Sequence, residues 1–61
     1  MRLLRFDNPD GGPTRYVNPL QVSLIEEVDG AVRLYYPGGY LMLPGADLHR
    51  IADTVQKAAG E

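Results

Sequence analysis

The dipeptide Asp29-Gly30, set between "QVSLIEEV" and "AVRLYY", constrains this chain more than any other feature. Both flanking runs are rich in β-branched, aromatic and alternating apolar residues. An Asp-Gly pair between two such runs predicts a β-hairpin closed by a type I′ turn, because that turn needs positive φ at both central positions. With a two-residue loop, Val28 faces Ala31, Glu27 faces Val32, Glu26 faces Arg33, Ile25 faces Leu34 and Leu24 faces Tyr35. Glu26 and Arg33 are then a cross-strand ion pair, worth a few tenths of a kcal/mol at an exposed position.

The next corner, "YYPGGYLML", extends the hairpin to a third strand. With Gly38-Gly39 as the turn, Pro37 faces Tyr40, Tyr36 faces Leu41, Tyr35 faces Met42 and Leu34 faces Leu43. Successive side chains of a strand point to opposite faces. One face therefore carries Ile25, Val32, Leu34, Tyr36, Leu41 and Leu43, a coherent core. The other carries Leu24, Glu26, Arg33, Tyr35 and Met42. Upstream, "RLLRF" (Arg2 to Phe6) and "TRYV" (Thr14 to Val17) read as two short strands of a hairpin with a long loop. "DNPDGGP" supplies that loop, and Asn18-Pro19 stops the second strand. Asp7, Asn8 and Asp10 fit turn chemistry, in which Asx side chains bond local backbone. The alternating ligands and distal glutamate of a calcium loop are missing.

"LPGADLHRIADTVQKAAGE" ends the sequence as an amphipathic helix. Leu48, Ile51, Ala52, Val55, Ala58 and Ala59 fall on one apolar stripe. Asp47 is expected in the first turn, Lys57 near the end and Gly60 as the C-terminal cap, with Asp53 and Lys57 an i,i+4 pair. The expectation is one small α+β domain over residues 1–61. It has an antiparallel sheet of four to five short strands, with one C-terminal helix packed on one face.

Size raises the question of what staples such a fold. A chain of 61 residues has a core of the size that rarely supplies more than roughly 3 to 5 kcal/mol, so disulfides, a metal or oligomerisation usually help. Cysteine is absent and His49 is the single histidine, which removes disulfides and argues against structural zinc. Oligomerisation is the staple left. The formal charge of −2 opposes non-specific nucleic-acid binding, which needs a basic field. No apolar run approaches a membrane span and the first residues show no signal-peptide h-region, so a cytoplasmic protein without membrane insertion is expected.

Catalytic chemistry finds little footing. His49 lies off the helical stripe and is expected to face solvent or the stripe's edge, with Asp53 at i+4. Ser23 and Thr54 sit in no nucleophile-elbow context. Glu26 and Glu27 are adjacent on a strand and point to opposite faces, so they cannot share a substrate. Pocket volume is expected to fall short of the roughly 300–1,000 Å³ of ligand sites. No enzyme activity, cofactor or metal site is expected.

The outer sheet face is the candidate site. Leu24, Tyr35 and Met42 are expected side by side across three strands, with Arg33 on the same face and Tyr40 at the corner beside Pro37. An apolar strip open to water on a small domain marks a contact surface, and tyrosine and methionine are enriched in such surfaces. The favoured reading is self-association into a homo-oligomer, or docking to another protein. The alternative is a single-stranded nucleic-acid platform built from Tyr35, Tyr40 and Arg33. Glu26, opposite Arg33, weakens the positive field that this alternative needs.

"RYVNPLQVSLIEE", then "DGAVRLYYPGGYLML" and a terminal amphipathic helix, resembles the flagellar and swarming-motility small-protein family (FlbD/SwrD type) and its phage-like relatives. Tyr16-Val17-Asn18-Pro19, Ile25-Glu26-Glu27 and Gly39 carry the resemblance. Pro37-Gly38-Gly39 replaces the family's usual Asn-Gly-Lys-like corner. The resemblance implies a small cytoplasmic accessory protein of bacterial or phage origin, without catalytic residues.

Overall fold

The computed structural model of the protein describes residues 1–7 and 12–60. Asn8 and Asp10 lie outside the described residues. The elements are β1 (Leu4–Phe6), β2 (Arg15–Val17), a 3-10 turn (Pro19–Gln21), β3 (Leu24–Val28), β4 (Ala31–Tyr36), β5 (Gly39–Pro44) and α1 (Leu48–Gly60). The class is α+β, as expected, but the five strands divide between two antiparallel sheets, β1-β2 and β3-β4-β5.

The first hairpin has the register that Asp29-Gly30 demands. Asp29 and Gly30 take φ of 51° and 79°, and Leu24↔Tyr35 through Val28↔Ala31 pair as expected. The second hairpin differs. Its turn is Pro37-Gly38, so Tyr36 faces Gly39, Tyr35 faces Tyr40, Leu34 faces Leu41 and Arg33 faces Met42. Proline presets the negative φ of the first turn position, and Gly38 at φ 101° supplies the one positive φ a type II corner needs. Gly39 is thereby released into the strand. The register moves by two residues, so each side chain keeps its face while its neighbours change.

Inner-face residues form the core. Leu34 lies at its centre, fully buried, with Leu4, Val17, Val55 and Ala58. Phe6, Ile25, Leu41 and Ile51 pack against them. One small core thus joins both sheets to the helix. Arg2 N–H donates to the Ala58 carbonyl at 2.9 Å, and Leu4↔Val17 and Phe6↔Arg15 pair the outer hairpin. Asn18 ends β2 by accepting Leu20 N–H at 2.9 Å on its Oδ1, a side-chain cap that Pro19, lacking an N–H, helps to fix.

The helix differs from expectation at both ends. Asp47 precedes it as the N-cap, its Oδ1 accepting His49 N–H at 3.0 Å and Arg50 N–H at 3.4 Å, so it satisfies orphan amides directly. Gly60 is the last helical residue and has no positive φ, so it is not a left-handed cap. Asp53 and Lys57 pair at 3.0 Å. Among the described residues, no helix is long and apolar enough to cross a membrane.

Candidate interaction face

The three-stranded sheet turns Leu24, Glu26, Arg33, Tyr35, Tyr40 and Met42 away from the core. Leu24, Tyr40 and Met42 remain 50%, 46% and 45% exposed and share this one face, whereas the other exposed large apolar side chains, Met1, Leu3, Tyr16 and Leu20, lie elsewhere in the chain. Tyr40 therefore belongs to the sheet face and not to the corner. All three exposed residues stand on β3 and β5, the outer strands of this sheet.

Tyr35 is a different case. It was expected in a row with Leu24 and Met42, but the two-residue shift places it opposite Tyr40. Their ring centroids are 5.4 Å apart, tilted by 43°, an ordinary aromatic pair. The Tyr35 hydroxyl donates to Glu26 Oε1 at 2.7 Å. Arg33 completes the cluster, with Nη1 4.0 Å from the same carboxylate oxygen and its guanidinium carbon 5.2 Å from the Tyr40 ring centre. The Tyr35 hydroxyl beside Arg33 is the largest cause raising the guanidinium's pKa above its ordinary value, with Glu26 contributing to the same effect. Arg33 is thus a fixed cation, although its Nε is buried with no hydrogen-bond partner.

This cluster changes what the face can do. A nucleic-acid platform needs open ring faces and an uncommitted cation. Here the two rings meet at a tilt, with Tyr40 still partly open, and the cation sits between a ring and a carboxylate. What stays open is apolar: Leu24, Tyr40 and Met42.

A second concavity lies on the other side of β5. A cleft of about 410 Å³ is lined by Leu41, Met42, Leu43 and Pro44 on one wall and by Phe6, Pro13 and Arg15 on the other. Its volume is within the ligand-site range, larger than the sequence led us to expect. Asp7, at its rim, accepts hydrogen bonds from Thr14 Oγ1 at 2.9 Å and Arg5 Nε at 3.2 Å. The Thr14 bond is the larger cause holding this carboxyl below its usual pKa. Asp7 thus bonds side chains across its own hairpin. No local pattern marks the cleft, because it depends on how the β1-β2 hairpin sits against β5.

His49 is exposed, and its neighbour at i+4, Asp53, is engaged by Lys57. Among the described residues, no group of acidic or histidine side chains could hold a metal ion. Fold and face together define a small α+β domain with a partly apolar sheet face that the described residues leave exposed. No protein-family model, curated protein or solved structure matches the chain.

Proposed function

We propose that this protein is a non-enzymatic interaction module that associates with further copies of itself, serving as an accessory or adaptor in a cytoplasmic assembly. The observation that carries this reading is the exposure of Leu24, Tyr40 and Met42 on one sheet face. Burying such side chains fully is worth about 1.5–3 kcal/mol each, and roughly half of that remains to be gained here. The core argues in the same direction, since among the described residues the buried hydrophobic core is six side chains, from Leu4 to Ala58, and a second copy adds stability that this core lacks. The resemblance to small motility-accessory proteins of bacteria and phage supports the same kind of role.

Light scattering on the wild type and on Met42→Glu tests the proposal. Met42 faces Arg33 across β4 and β5, so a carboxylate there gains a local partner and the monomer keeps its fold. The wild type is expected above its monomer mass of 6.7 kDa, with the variant returned to it. A wild type that is monomeric at high micromolar concentration refutes self-association. Salt-dependent capture of labelled single strands at about 50 mM salt would support the nucleic-acid alternative instead.

A further inference from the structure

We infer that copies of this protein join head to tail, the free edge of β5 receiving the β3 edge of the next copy. This rests on the self-association reading and specifies its geometry.

The hydrogen-bond alternation of the sheet identifies the free groups. Gly45 N–H bonds the Gly30 carbonyl at 3.1 Å, one step past the Ala31↔Pro44 pair. Antiparallel ladders alternate bonded and open positions, so Leu41 and Leu43 are spent on β4. Tyr40 and Met42 then turn their N–H and C=O groups outward. On β4, Val32, Leu34 and Tyr36 are used by β5, leaving Ala31, Arg33 and Tyr35 to bond β3. Ile25 and Glu27 are the outward residues of β3.

The two edges are unlike. β3 carries Glu26 and Glu27, whereas Gly39–Pro44 contains no charged residue at all. Exposed edges are ordinarily blunted by charge, bulges or a covering segment; among the described residues β5 has Pro44 at its end and the β1-β2 hairpin across the cleft from it, with no strand bonded to its outer edge. Four consecutive residues, Leu41 to Pro44, line the same cleft. Neighbours on a strand point to opposite faces, so they share a cleft only where the strand's edge is its wall.

Charge selects the occupant. Arg15, on the far wall, has no carboxylate partner among the described residues, whereas Asp7 at the rim is engaged by Arg5. Among the described residues that line the cleft, Arg15 is therefore the one charge left without an opposite partner. Glu27 is exposed on the β3 edge and likewise unpaired among the described residues. Within one copy β4 separates the two edges, with strands spaced about 4.8 Å apart. Between joined copies Glu27 reaches the cleft that holds Arg15.

The exposed apolar residues fit the same joint. β3 and β5 both run opposite to β4, so a copy joined the same way up lays its β3 parallel to β5. Leu24 of that copy then lies beside Tyr40 on the outer face, and Glu26 beside Met42. Such an interface is heterologous and propagates into a ring or open chain, in contrast to a closed two-fold dimer.

Sedimentation of the wild type, Arg15→Glu, Glu27→Arg and their equimolar mixture tests the joint, with circular dichroism as the check on folding. The wild type should form species beyond the dimer. Each variant alone should assemble roughly tenfold more weakly, a loss of about 1.4 kcal/mol at the joint. Mixing should restore assembly, because each variant's cleft then meets the opposite charge on the other's edge. If both variants assemble like the wild type while Met42→Glu does not, the edge joint is wrong and self-association stands. A wild type that stops at a dimer, or losses that mixing does not rescue, also overturns the joint. A monomeric wild type removes both readings.

Discussion

Two leucines on adjacent strands give the sharpest test of the face assignment, through Leu34→Ala and Leu24→Ala. Leu34 is fully buried in β4, surrounded by Leu4, Val17, Val55 and Ala58. Those neighbours belong to three separate elements, so they cannot all move in to fill the space of a lost isobutyl group. Truncation at such sites costs about 2–5 kcal/mol, against a total of roughly 3–5 kcal/mol for a core of this size. Leu34→Ala should therefore be largely unfolded in water at room temperature. Leu24 is 50% exposed, and the same truncation should cost the monomer about 1 kcal/mol or less. Urea titrations followed by circular dichroism measure both. Association shifts apparent stability by mass action, so titrations over a range of protein concentrations should be extrapolated to dilution. Equal losses at the two sites would mean that the inner and outer faces are misassigned.

Asp47→Ala removes the helix cap and should lower stability by about 0.5–2 kcal/mol, read as an earlier urea midpoint with an unchanged slope; an unshifted midpoint refutes the capping role. Asp7 has its pKa depressed in the folded protein, so below the ordinary carboxylate range the unfolded chain takes up the proton first. Its contribution is present above that range and is lost as pH falls through the folded value. Asp7→Asn should flatten this part of the acid limb of a thermal-stability profile, and Thr14→Val should do so in part. Parallel wild-type and Asp7→Asn profiles would show that the contact does not contribute.

How far the sequence discloses the fold depends on how many conformations each corner allows. Asp29-Gly30 offers one short loop between two strong strands, and its register could be read residue by residue. Pro37-Gly38-Gly39 offers two. Either glycine can bend, and sequence alone does not choose between Pro37-Gly38 and Gly38-Gly39. A two-residue slip preserves the side-chain faces, which is why the inner and outer sets were legible and the rows across strands were not. Tyr35 shows the consequence: its face was evident, but its bond to Glu26 and its pairing with Tyr40 required the register. The helix stripe was legible from its period, while Asp47 lay one position outside its expected place. The division into two sheets, and the cleft beside β5, arise from long-range packing that leaves no local trace.

The hydrogen bond from Arg2 to the Ala58 carbonyl has a kinetic consequence. It closes a loop that spans nearly the whole chain, whereas β3, β4 and β5 are linked by two-residue turns. Loop-closure entropy grows with chain length, and contacts between distant residues are slow to form. The expected sequence is therefore a central meander that forms early and a clasp of β1 and α1 that closes around it late. Its signature is a high φ-value at Val32 and a low one at Val55, so that truncating Val55 speeds unfolding and scarcely slows folding. The reverse pattern would place the clasp in the nucleus. With a late-closing clasp, opening begins where β1 and α1 meet, leaving the meander with its bare β5 edge as the last ordered species.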